Sequence, residues 1–123
     1  RPSIIYTHHS GDVNIDHSVI HDAVITATRP IPGSFVKKII TFETASSTEW
    51  RPPDSKGIFK PNYFVTIEDQ FQRKMDALNA YKCEMREWPH PRSIKSLENL
   101  AKLRGSQVGY KYAEAFCLLR GIS

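Results

Sequence analysis

The hydrophobic period of the chain changes once within its opening segment, and that change restricts what the segment can become. Residues 3–7, SIIYT, form a short apolar run bounded by Pro2 and a polar cluster, the pattern of a buried strand. From Asp16 onward Val19, Ile20, Ala23, Val24 and Ala27 recur at helical spacing, until Arg29 and Pro30 end the segment. Strand, loop, helix is therefore the predicted unit. Between the two periods lies YTHHSGDVNIDH, which holds three histidines and two aspartates. Turn chemistry is met by Gly, Asn, Asp and Ser and has no need of histidine. The cluster falls at the carboxyl end of a strand, where open α/β sheets bind ligands.

The rest of the chain continues the alternation. Residues 35–43, FVKKIITFE, read as a second strand that enters an irregular, proline-bearing stretch, TASSTEWRPPDSKGIFKPNYF. A stretch of about twenty residues is long for a connection and reads as an ordered functional loop. Thr66 is placed to cap a helix with Asp69 three positions on. Ile67, Phe71, Met75, Leu78 and Lys82 or Cys83 give that helix a buried face towards Met85, and it ends before Pro89. PHPRS is a rigid loop whose Ser93 caps the next helix, with Ile94, Leu97, Leu100 and Ala101 on its apolar face and Gly105 closing it. A last strand runs through residues 116–119. The class is α/β, with few strands for an independent sheet.

At 123 residues the chain is one domain at most. It begins at Arg1, close to a strand and without an initiator Met, and reads as a piece of a longer protein. The net charge of +4 is spread, because the basic residues between Arg73 and Arg104 alternate with Glu84, Glu87 and Glu98. Such a face is solvated rather than built for nucleic acid, although it suits an anionic substrate. No window approaches the roughly 18 apolar residues of a membrane span, and no signal-like start is visible. Cys83 and Cys117 are too few and too far apart for a disulfide framework and are expected to be reduced core thiols of a cytoplasmic protein.

Two readings of the histidine loop stand side by side. In one, imidazoles and carboxylates converge on a metal, each ligand histidine being oriented by a further acceptor, with Asp16 next to His17 as the orienting or catalytic carboxylate. In the other, His8 and His9 are polar loop residues, Asp12 and Asn14 form turns and Asp16 caps the helix. His17 and His21 share a helix face, but Ser18 stands where a zincin needs its glutamate, so that motif fails.

The order of an apolar strand, YTHH, DVNIDH and a helix ending in ATRP resembles the zinc-dependent N-deacetylases related to LmbE and PIG-L, which act on N-acetylglucosamine-type sugars. The likeness continues through FETASSTEW, FKPNYFVTIEDQFQRKMDALNAYKCE, PHPRSIKSLENLAKLRG and GYKYAEAF. It implies a Rossmann-like, mainly parallel sheet flanked by helices, with residues 1–123 forming the C-terminal part of one deacetylase domain. It also implies that His17 is a ligand to zinc or another divalent metal, since it matches the histidine closing the family's H-P-D-H block. Asp16 matches the preceding aspartate, and Asn14 stands where the family has a histidine. An asparagine can donate to an oxyanion but is no general acid. His8, His9 and His90 are the candidates for a missing proton donor. His9, Asp12 and Arg92 are expected near the substrate, and Trp50, Ser46, Ser47 and Thr48 either line a sugar pocket or serve packing and turns. The family's HPDD block is absent from the sequence, so the likeness implies a chain inactive by itself, whose partners are the N-terminal portion of the same fold and an N-acetylated sugar or glycoconjugate. It admits a homo-oligomer and leaves a non-catalytic sugar-binding or interaction domain as the alternative.

Overall fold

The computed structural model describes residues 1–53 and 57–123, so the expected functional loop is described on either side of residues 54–56, which lie outside the described residues. The elements are β1 (Ile4–His8), α1 (Ile15–Ala27), β2 (Lys38–Phe42), β3 (Tyr63–Thr66), α2 (Phe71–Ala80), α3 (Ile94–Ser106) and β4 (Ala113–Gly121). The strands form a four-stranded sheet in the order β1-β2-β4-β3. β1 and β2 run parallel, from Ile4 opposite Lys38 to His8 opposite Phe42. β2 and β4 run antiparallel, with a register irregularity between Ile39 and Ile40. The sheet is therefore mixed, where a mainly parallel one is expected.

By contact density the chain divides into two compact units, Arg1–Tyr63 with Phe116–Ser123, and Phe64–Ala115. In the first, β2 has a neighbour on each side, which is why Ile39 and Ile40 are only 1% exposed. α1 lies against β1 and departs from the expected amphipathic pattern. Its buried residue is His17, while Val19 and Ile20 are exposed and Ile15 reaches 81% exposure. The reason is local: the helix is tied inward by polar bonds, from the Ser18 hydroxyl to the Ser10 carbonyl and from His21 Nδ1 to the His8 carbonyl. Arg120 donates to the Thr28 carbonyl just past the helix end.

A strand, β3, takes up the end of the stretch expected to be irregular, and the helix expected from Ile67 begins four residues later, at Phe71. Thr66 ends β3 instead of capping, and the residue before α2 is Gln70. α2 stops at Ala80, so Tyr81 and Cys83 are exposed in the turn beyond it. Cys117 is half-buried and donates its Sγ–H to the Lys60 carbonyl, so neither thiol is a core residue. α3 begins as expected, with the Ser93 hydroxyl accepting from the Ser96 N–H at 3.1 Å. Gly105 does not close α3. It lies within the helix, where an added Cβ would stand 2.5 Å from the Tyr110 carbonyl oxygen. Phe71 of α2 stacks on Tyr112 with ring centroids 3.7 Å apart. No helix among the described residues is long and apolar enough to cross a membrane.

Candidate functional site at the end of the first strand

The loop from His8 to Asn14 brings a carboxylate and an imidazole together over five positions of sequence. Asp12 Oδ2 accepts a hydrogen bond from His17 Nδ1 at 2.8 Å, and the Asp12 side chain is 0% exposed. Its other oxygen, Oδ1, accepts from the Thr48 hydroxyl at 2.6 Å, and that hydroxyl accepts from the Thr44 N–H at 2.7 Å. A carboxylate is an acceptor only, so His17 carries a proton on Nδ1, and in the neutral ring Nε2 keeps a lone pair. Nε2 has no hydrogen-bond partner among the described residues. An imidazole oriented by a buried carboxylate in this way has the donor set of a metal ligand.

A second segment, residues 44–51, holds the loop in place. Arg51 donates from Nε to the Gly11 carbonyl at 2.8 Å and from Nη2 to the Asp12 carbonyl at 3.3 Å. The buried Ser47 accepts the Asn14 N–H on its hydroxyl and the Val13 N–H on its carbonyl. Ser46 has a φ of 64°, a left-handed turn closed by its N–H donating to Glu49. Gly11 is required by crowding, because a Cβ there would collide with the Gly57 carbonyl oxygen.

His8, the last residue of β1, stacks on His17 with ring centroids 4.1 Å apart and packs against Phe42 at 4.8 Å. Burial, and next the nearby His17, push the His8 pKa below its ordinary value, against the opposing pull of Asp12 and Asp16. Its Nδ1 is buried without a hydrogen-bond partner among the described residues.

The structure redistributes several expected roles. The carboxylate bonded to His17 is Asp12, whereas Asp16 is exposed in the first turn of α1. Asp12, expected near the substrate, is sealed off by its two donors. Asn14 is the exposed N-cap of α1 and makes no side-chain capping bond. His9 is held by Nε2 against the Gly57 carbonyl at 3.3 Å and meets the edge of Phe59. His90 and Arg92 lie in the other compact unit, where the Arg92 N–H donates to His90 Nδ1 and its guanidinium pairs with Glu84. Of the expected hydroxyl residues, Ser47 and Thr48 build the histidine loop, and Trp50 is half exposed. Arg51 is the residue that sequence reasoning missed, and an arginine directly before two prolines is the only signal it offered.

Among the described residues no group of three His, Cys, Asp or Glu side chains converges as a metal site. His17 fits a metal as a single oriented ligand, and the described residues do not complete a centre.

No family model matches the sequence, and no curated protein matches it. A solved structure, the conserved protein TT1542 from Thermus thermophilus, is similar to the whole of this chain with a TM-score of 0.69 and 17% identity. The match covers 54% of that protein, so the chain spans about half its length. At this identity the likeness is one of fold.

Proposed function

We propose that the chain forms one wall of a zinc-dependent N-deacetylase that acts on an N-acetylated amino sugar or its conjugate. The other wall comes from an N-terminal portion of the same Rossmann-like fold. The observation that carries this reading is the buried Asp12 carboxylate on His17 Nδ1, which presents Nε2 at the carboxyl end of a parallel strand. His17 is the ligand to zinc, or to another divalent ion that accepts imidazole. Zinc supplies a polarised amide carbonyl and an acidified water. The chain's own side chains then divide the remaining work. Asp12 orients His17. His8, its pKa lowered by burial and next by His17, is the proton carrier of this reading, since it stacks on His17. Asn14, with its side chain exposed, supplies an amide donor for an oxyanion. A cytoplasmic setting is part of the same proposal, since two cysteines are too few for a disulfide framework.

The test is elemental analysis of the intact protein together with hydrolysis of N-acetylglucosamine-type conjugates. His17→Ala is expected to lose both bound metal and activity, and unchanged activity in that variant overturns the assignment. In the alternative, a sugar-binding or interaction domain without catalysis, the Asp12–His17 and Thr48–Asp12 bonds serve to hold the loop. Sugar binding by an intact protein free of metal is the result that favours it.

A further inference from the structure

We infer that Thr48 is a positioning residue for His17: acting through Asp12, its hydroxyl fixes which imidazole nitrogen is offered to a ligand. Its functional consequence rests on reading His17 as a metal ligand, whereas the fixed tautomer does not.

The chain of donors runs in one direction. The Thr44 N–H donates to the Thr48 hydroxyl, and that hydroxyl has one proton, which goes to Asp12 Oδ1. His17 Nδ1 donates to Oδ2. Both carboxylate oxygens are engaged, on opposite sides, by groups from separate segments of the chain, since Thr48 lies 36 positions from Asp12 and His17 only five. Rotating the carboxylate breaks both bonds at once, and the buried His17 would lose its acceptor. The Asp12 backbone is held as well, its carbonyl taking Arg51 Nη2. With the hydroxyl removed, Oδ1 loses its partner and only the bond to His17 orients the carboxylate, so the preference for a proton on His17 Nδ1 is weakened. Direct partners of a ligand histidine govern its affinity by factors of about 10–100, and Thr48, one bond further out, acts at the low end of that range.

The experiment is done on the intact, ¹⁵N-labelled protein and two variants. Thr48→Val keeps the branched shape and removes the hydroxyl, and Thr48→Ser keeps the hydroxyl. Long-range ¹H–¹⁵N correlation of the imidazole nitrogens reports the His17 tautomer, and titration of Zn²⁺ against a chromophoric chelator reports affinity. The wild type is expected to show a single Nδ1–H tautomer. Thr48→Val is expected to show mixed tautomers and Zn²⁺ binding weakened about tenfold, with Thr48→Ser close to wild type in both. Amide spectra that match away from the loop exclude general unfolding. A Thr48→Val protein with an unchanged tautomer overturns the positioning role. A wild type whose tautomer depends on Thr48 but which binds no Zn²⁺ supports that role and overturns the deacetylase reading instead.

Discussion

Two histidine-bearing loops of this chain each lead into a helix, and they use the same residue types for different ends. In PHPRS the bonds serve the helix start, the turn and an exposed ion pair. Ser93 caps α3, the Arg92 N–H closes on His90 Nδ1, and the Arg92 guanidinium meets an exposed Glu84. In the loop before α1 the N-cap Asn14 makes no side-chain capping bond, and the His17 imidazole and the Thr48 hydroxyl converge on one carboxylate. The difference lies in burial: Asp12 is closed to solvent, whereas Glu84 opposite Arg92 is 66% exposed on its side chain.

That contrast breaks most easily at the two acidic pairs. Asp12→Ala leaves His17 Nδ1 and the Thr48 hydroxyl without their acceptor and is expected to cost about 2 kcal/mol of unfolding free energy. Arg92→Ala removes a solvent-screened pair and is expected to cost less than about 1 kcal/mol. Urea unfolding of both variants measures the gap, and equal losses would erase the distinction between the loops.

The helix caps sharpen the same comparison at a smaller scale. Ser93→Ala removes an observed capping bond and is expected to destabilise by about 1 kcal/mol, whereas Asn14→Ala is expected to cost less than about 0.5 kcal/mol. The same denaturation series reads both. A large loss at Asn14 would show that its side chain is structural after all.

The smallest expected effect is a pH dependence. His8 is a base whose pKa in the folded state lies below the ordinary 6.5. Below that value the unfolded chain binds the proton more readily than the folded one. The contribution of His8 is therefore intact above pH 6.5 and is lost as pH falls through 6.5 towards the folded value. Unfolding midpoints measured on either side of 6.5 should differ in wild type and differ less in His8→Gln. An equal difference in the two proteins would assign the slope to other groups.

Much of the local structure was legible in residue order because it is driven by short-range chemistry. The change of period after SIIYT marks β1 and α1, and the serine before Ile94 marks the start of α3. β3 was not legible, because Tyr63 and Phe64 close a proline-bearing stretch without strand alternation, and it is pairing in the sheet that makes them a strand. The burial pattern of α1 was also hidden. Its apolar residues follow helical spacing, yet hydrogen bonds from Ser18 and His21 to the β1 end set which face turns inward.

For the candidate site the division is similar. The sequence by itself determined that imidazoles and carboxylates would stand at the end of a strand, since a strand, a polar loop and a helix leave them nowhere else. Only the tertiary structure decided that Asp12, rather than the adjacent Asp16, holds His17, and that Thr48 holds Asp12. Neighbours in a helix project in different directions, so Asp16 faces solvent while His17 faces inward. The partner of a buried carboxylate is chosen by whichever donors the fold brings within reach, and here one of them comes from a turn 36 positions away.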